Sequence, residues 1–404
     1  MTYHHVGSPS IATPAGLPKG LARLFTFRRG MRIASRLGIA LARWWGKPFR
    51  FGNVVVAVRH SDVTEVLARD LDFHIQPVDG PRFDQVGYHF ILGMDRSAEL
   101  VRERHALYAA LAAVDMGPIK VAAAEEIDRR IDIAPSGFDM IQDYARPVAA
   151  ATARAVFGIA PDNHTQFMDA ARAIFGHCFL NFTGDPAITK RAQAAAGLLT
   201  GWIEAEIARR RAAGELGLDM MGHLLRQGAS DDLTRRTLGG MLVGSIDTTA
   251  TAVAKIISVL MADRIAMAGA CRDAGELARL DGWCEDALRH WPQTPLLARQ
   301  APAETTLGGV KVPAGAQIMM VTQAAMFDAT AFPDPGRLRC DRPTSVYLHR
   351  GGGLHPCAGR GINTWQIAML VRGLLRRKPV RLGRMRWAGP FPAHLPVYFE
   401  ENDA

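Results

Sequence analysis

Apolar residues recur every three to four positions over most of this chain, in segments rich in Ala, Leu and Arg. That spacing predicts helices over 97–111, 119–131, 140–157, 164–179, 187–213 and 233–260, and a basic amphipathic helix over 31–45. Strand-like runs are few and short. Residues 49–58 read as a hairpin around Gly52-Asn53, and 62–68 as a short helix capped near Ser61. Residues 296–299 and 308–315 read as a small sheet. Between Asp70 and Asp95 no period is sustained, and Pro77, Gly80, Pro81, Gly87 and Gly93 interrupt the chain. A loop of that length inside a compact domain is usually functional. The pattern predicts a mainly α fold with small β-sheets.

Composition narrows the class. With 404 residues and 48% hydrophobic content the chain can bury a large core. Five cysteines at wide intervals, none in C-x-x-C spacing, argue against a disulfide framework and a structural zinc site, and for a reducing, cytoplasmic setting. The net charge of +9 is localised: residues 1–50 hold nine Lys and Arg and no acid, which leaves the rest balanced at 39 against 39. Such an opening suits a transit peptide, a membrane-surface helix or a solvated arm. We read 1–30 as a basic arm, the last of these, and 31–404 as a single domain. The balanced remainder gives no reason to expect nucleic acid. No apolar run reaches the ~20 residues that span a bilayer.

Two interruptions carry chemistry. The apolar helix over 233–260 is broken by Gly244-Ser245-Ile246-Asp247-Thr248-Thr249. An acid and two β-branched alcohols cost helix propensity there, and Ser or Thr hydroxyls can bond back one turn and loosen the helix. A bend with internally satisfied polar groups accounts for that segment alone equally well. The second is Arg350-Gly351-Gly352-Gly353-Leu354-His355-Pro356-Cys357-Ala358-Gly359-Arg360, running into the apolar segment 362–375. Its glycines let a cofactor approach the main chain, and a cysteine at the mouth of a helix is biased towards the thiolate, a metal ligand.

The spacing Gly351-x-Gly353-x-His355-x-Cys357-x-Gly359 resembles the cysteine-ligand loop of the cytochrome P-450 family, and further motifs follow the family's order from about Phe49 to the end. The resemblance implies haem b (iron protoporphyrin IX) between the long central helix and the Cys loop, with Cys357 as axial ligand and Gly351, Gly353 and Gly359 shaping its loop. It implies that His355, Arg104 and Arg299 serve the haem propionates. Gly244, Asp247 and Thr248 match the oxygen-activating groove, with Asp247 and Thr248 supplying protons. Asp286 and Arg289 match the buried acid–arginine pair that anchors the cysteine side, with Asp in place of the usual Glu. Leu100 stands where a propionate-binding His is usual, and Arg350 where an aromatic ring shields the sulfur. The Arg350 guanidinium is expected to reach solvent or a propionate while Tyr347 or Leu348 covers the sulfur.

The implied activity is a soluble haem-thiolate monooxygenase oxidising an apolar small molecule with dioxygen. No flavin or nicotinamide fingerprint follows the haem loop, so the implied electron donor is a ferredoxin or flavodoxin with its reductase. Arg360, Arg372, Arg376, Arg377 and Lys378 form a basic face near Cys357 that would suit docking or simply solubility. A peroxide-driven or non-reductive haem-thiolate enzyme is the alternative, and a haem-binding protein without turnover the third.

Overall fold

The computed structural model describes residues 46–181, 183–388 and 391–400. The basic arm and the amphipathic helix expected at 31–45 lie outside the described residues.

Helices dominate, and their ends follow local sequence. The first three are α1 (His60–Ala68), α2 (Gln76–Asp84) and α3 (Ala98–Ala113). Ser97 caps α3 by accepting from Leu100 N at 3.0 Å. Helix α4 (Met116–Asp132) and a π-helical turn (Met140–Ala145) lead into α5 (Arg146–Phe157), which ends on Gly158 in the left-handed conformation. Helices α6 (His164–Leu180) and α7 (Pro186–Ala213) pack against each other along their lengths. Short α8 (Met220–Arg226) precedes α9 (Asp231–Val243) and α10 (Asp247–Met261), then α11 (Arg264–Asp273) and α12 (Leu277–His290). The last two are α13 (Thr322–Ala325) and α14 (Arg360–Arg376).

The sheets are small. β1 (Phe49–Phe51) and β2 (Val54–Ala57) form the expected hairpin; β2 then pairs in parallel with β7 (Gln317–Met320), which pairs antiparallel with β4 (Leu297–Gln300). β11 (Pro396–Phe399) sits between β3 (Phe138–Asp139) and β8 (Pro379–Leu382). Two hairpins complete the set: β5 (Thr305–Leu307) with β6 (Val310–Val312), and β9 (Arg386–Ala388) with β10 (Phe391–His394).

The stretch 70–95 differs from expectation, because it contains α2 and a 3-10 turn at Ile91–Gly93. Pro77 is tolerated in the first turn, where its missing N–H has no partner to lose. Gly80 lies so close to Gly93 that a Cβ on it would come within 2.9 Å of the Gly93 carbonyl. Tertiary packing against the 3-10 turn, not local periodicity, forms this helix.

Three apolar clusters make the core. One joins α2, α3 and α5–α9, the second surrounds α10, α12 and α14, and the third lies under the β1-β2-β7-β4 sheet. The first claims Ile246 and Ile362; the second starts at Ala250 and Ile367. The seam between them crosses the chain at the break before α10 and at the first turn of α14. The span 231–261 is long and apolar enough to cross a membrane, but most of it is buried inside the fold, as in a core helix.

Candidate active site at the broken central helix and the cysteine loop

The expected interruption of the central helix falls at 244–246, between α9 and α10. Hydroxyls explain it. Ser245 Oγ donates to the Leu242 carbonyl at 2.8 Å, Thr249 Oγ1 to Ser245 at 2.8 Å and Thr251 Oγ1 to Asp247 at 2.7 Å, and Thr248 Oγ1 donates to Gly244. Each back-bond competes with the ladder and loosens it. A Cβ added to Gly244 would meet nothing closer than the Met241 carbonyl at 4.0 Å, so the break opens onto free space.

Asp247 begins α10 and is buried, but it is not solitary. Its Oδ1 is held by Arg172 of α6 at 2.5 Å and faces Arg146 of α5 at 3.0 Å, while Oδ2 has no partner among the described residues. One residue on, the Thr248 carbonyl accepts from Gln293 Nε2 at 3.0 Å. Gln293 Oε1 in turn accepts from Thr251 and from buried Lys255, each at 3.0 Å. Burial pulls the Lys255 amine down to about 7. Arg146, Arg172, Gln293 and Lys255 have no spacing relation to the Gly244–Thr249 motif, so only the fold reveals them.

The cysteine loop is built by two left-handed glycines. Gly351 has φ +67° and Gly353 φ +62°, and a Cβ on Gly353 would lie 1.8 Å from the Leu67 carbonyl, so only glycine fits. Cys357 N donates to the Arg350 carbonyl at 2.8 Å and closes the loop two residues before the N-cap, Gly359. Cys357 is half-buried, and burial pushes its thiol above the ordinary value, with Arg350 the largest charge opposing that shift. The helix-mouth bias towards thiolate is outweighed by burial. Thr249 Oγ1 approaches Asn363 Oδ1 of α14 at 3.4 Å, which brings the broken helix beside the loop's outgoing helix.

Three polar residues line the same region. Arg104 donates to the Leu354 carbonyl within the loop and stacks on Tyr108 at 5.0 Å. His355 Nε2 meets the Met94 carbonyl at 2.8 Å, and burial pulls this ring down to about 4, so it is neutral. Arg299 is buried, its hydrogen bond goes to the adjacent Ala298 carbonyl at 2.7 Å, and among the described residues no carboxylate forms an ion pair with it. Burial lowers its pKa against the pull of Asp79 and Asp95. A buried guanidinium with unspent donors calls for an anion. Leu100 is fully buried in the first apolar cluster and offers that anion nothing. A half-buried cysteine at a helix mouth, an open glycine groove and a buried cation without a carboxylate partner among the described residues together fit an anionic iron porphyrin.

Behind the loop, Asp286 and Arg289 form the expected pair, both with fully buried side chains, bridged at 2.6 and 3.1 Å. Arg289 also donates to the carbonyls of Pro335 at 2.7 Å, Met326 at 3.2 Å and Arg337 at 3.2 Å. Asp286 accepts from Arg339 N at 2.8 Å and Tyr347 Oη at 3.1 Å and faces Arg342 at 3.2 Å. The pair is thus the hub that fixes the segment leading into the cysteine loop. One expectation is corrected here: the Arg350 guanidinium does not extend into solvent but is largely buried and pairs with Glu285, while the Tyr347 hydroxyl donates to Asp286. The basic face also divides. Arg376, Arg377 and Lys378 sit at the far end of α14, ~24 Å from Arg360 at ~1.5 Å per residue. There Arg376 pairs with Asp128 and Asp132, Lys378 with Glu400, and Arg377 caps the carbonyls of Ile131 and Ala134.

Comparison with known proteins agrees with this geometry. Residues 187–382 match the family model for cytochrome P450. The chain is 29% identical over 267 residues to the cytochrome P450 monooxygenase PikC of Streptomyces venezuelae, covering 63% of this chain and 61% of that protein. It is 25% identical to the steroid C26-monooxygenase of Mycolicibacterium smegmatis over 74% of this chain and 75% of the relative. With PikC at 61% and the erythromycin C-12 hydroxylase of Saccharopolyspora erythraea at 57%, the chain spans about three-fifths of the length of the first curated relatives it matches. The crystal structure of the Tepidiphilus thermophilus P450 heme domain superposes with a TM-score of 0.80 at 19% identity, covering 94% of this chain and 99% of the other. From the cysteine loop to the fold, the chain belongs to the cytochrome P450 family.

Proposed function

We propose that this chain is a haem-thiolate monooxygenase that holds haem b and oxidises an apolar small molecule with dioxygen and electrons from a separate redox protein. The observation that carries the reading is the placement of Cys357, in a loop shaped by two left-handed glycines, beside a helix broken at an acid and an alcohol. Cys357 would ligate the iron, and Arg299 and Arg104 would serve the propionates. Bound haem would supply the oxygen and electron chemistry, tuned by the axial thiolate. The chain's part is positioning and protons. Asp247 is anchored by Arg172 through Oδ1, and its Oδ2, without a partner among the described residues, can accept a hydrogen bond from a water in a proton relay. Gln293 and Thr251 fix the backbone on which Thr248 presents its hydroxyl.

The core around the site is apolar, with buried Val243 and Ile246 flanking the break, which suits an apolar substrate. The relatives oxidise varied compounds and do not fix its identity. Electrons from a ferredoxin or flavodoxin would enter near exposed Arg360, the one basic residue of the set that lies at the cysteine end of α14. The test is the reduced carbonmonoxy spectrum of the haem-loaded protein and of Cys357→Ser. A thiolate-type spectrum lost in the variant supports the reading, and a spectrum unchanged by the substitution overturns it. Turnover with peroxide but not with a reductase system would select the peroxide-driven alternative.

A further inference from the structure

The loop that carries Cys357 also carries a buried charge pair that the reading above does not use. Arg350 opens the loop, and its guanidinium turns away from solvent to Glu285 of α12. The two side chains are 12% and 4% exposed. The other Glu285 oxygen meets His349 Nε2 at 3.0 Å, and the His349 side chain is 3% exposed. Arg350 Nη1 lies 3.5 Å from Thr364 Oγ1, on the first turns of α14. The cluster thus joins α12, which also carries Asp286, to the cysteine loop and the first turns of α14.

The charges on this cluster can be assigned. Burial alone would raise the Glu285 carboxyl, but the His349 hydrogen bond and the Arg350 and Arg360 charges outweigh it and leave Glu285 below its ordinary value. Glu285 is therefore ionised. Asp281, one turn earlier on α12, is pushed up to about 7 by burial first and then by Glu285. The nearer of the two acids thus keeps its charge at the expense of the other.

Stability does not explain the pair. A buried ion pair roughly breaks even against apolar side chains of the same volume, because desolvation offsets the attraction. What apolar side chains could not supply is an electric field at the sulfur. The pair is tied to the cysteine by geometry: Cys357 N donates to the Arg350 carbonyl at 2.8 Å, and the Arg350 guanidinium holds Glu285. Charge and hydrogen bonding around a ligand sulfur tune the metal it holds.

We propose that the Glu285–Arg350 pair, held by His349, sets how strongly Cys357 donates electron density to bound iron, with Arg350 withdrawing density and Glu285 opposing it. Glu285, Arg350 and His349 are positioning residues acting through Cys357. The inference rests on the haem-thiolate reading. Glu285→Gln exposes the sulfur to an uncompensated cation and raises the midpoint potential. Arg350→Met leaves an uncompensated anion and lowers it.

The experiment is a redox titration of the haem-loaded full chain as wild type, E285Q, R350M and E285Q/R350M, with circular dichroism of each haem-free chain as the check on folding. Opposite shifts in the single variants, with the double variant between them, are expected. The double variant leaves neither partner as an unpaired charge, so it is the one best able to fold. If E285Q does not load haem, comparison of R350M with the double variant still reads Glu285 alone, and R350M must have the lower potential. Single variants that shift in the same direction, or folded variants that all match wild type, overturn the proposal. The wild-type reduced carbonmonoxy spectrum separates the two failures. A thiolate-type spectrum with unmoved potentials defeats the tuning alone, and a spectrum without thiolate character defeats both.

Discussion

Replacing Asp286 by Asn should destabilise the fold by about 3–5 kcal/mol, the usual cost of breaking a buried ion pair by removing one partner. Asn keeps the size and one acceptor but removes the charge that faces Arg289 and Arg342, leaving two guanidinium groups in a dry site without their shared counter-ion. It also turns one carboxylate oxygen into an NH2 group. That oxygen accepts either from Tyr347 and Arg289, or from Arg339 N and Arg289, so one set of hydrogen bonds is lost in either orientation. The measurement is urea unfolding of the haem-free full chain by circular dichroism, compared at constant slope. A loss below about 1 kcal/mol, the scale of an exposed pair, would show that Asp286 is not the counter-ion. Asp286→Glu provides an independent check. Although glutamate is the usual residue at this motif position, the extra methylene enters a fully buried site shaped for Asp, and overpacking of that kind costs about 1–3 kcal/mol.

Thr248→Ala should leave haem loading intact and lower product formed per reducing equivalent by about an order of magnitude or more, since a positioned proton donor typically contributes ~10²–10⁴-fold; coupling equal to wild type removes Thr248 from the mechanism. Lys255 gives a pH signature: burial sets its folded pKa near 7, below the ordinary value of 10.5, so folding must expel a proton between those values and the wild type gains stability as pH rises through that window. Lys255→Met lacks the linkage, so its stability relative to wild type should fall from pH ~7 to pH ~10.5, and a pH-independent difference would refute the assignment. Deleting residues 1–25 should leave haem incorporation unchanged, and loss of incorporation would show that the basic opening packs as part of the fold.

Much of the architecture was legible because it depends on local chemistry. The helix at 97–111 announces itself by Ser97 and its period, and the hairpin at 49–58 by Gly52-Asn53. The broken central helix is legible because Ser245, Thr248, Thr249 and Thr251 all have backbone carbonyls one turn away to bond. The cysteine loop is legible because two glycines at fixed spacing have φ values that other residues avoid. Helix α2 was not legible, since Pro77, Gly80 and Pro81 argue locally against a helix that only the contact with Gly93 explains. The partners of the motif residues were equally hidden. Arg172 lies 75 positions from Asp247, and Arg342 53 or more residues from the α12 pair it joins.

Arg350 and Glu285 mark the limit of motif reading most clearly. Taken alone, Arg350 is a departure from the usual aromatic, and Glu285 is a neighbour of the motif acid that points from a different face of α12. Neither has an evident role until the fold brings them together, and then each explains the other. An arginine in the loop that holds Cys357 would leave a buried cation in that loop unless a carboxylate came with it, and the helix that supplies Asp286 to the hub supplies that carboxylate one residue earlier. The helical offset sends successive acids to different jobs, Asp286 inward to Arg289 and Glu285 towards the loop. A shift of one residue in α12 would therefore cost the fold its hub and the loop its counter-ion together, which ties the electrostatics at the cysteine to the stability of the core behind it.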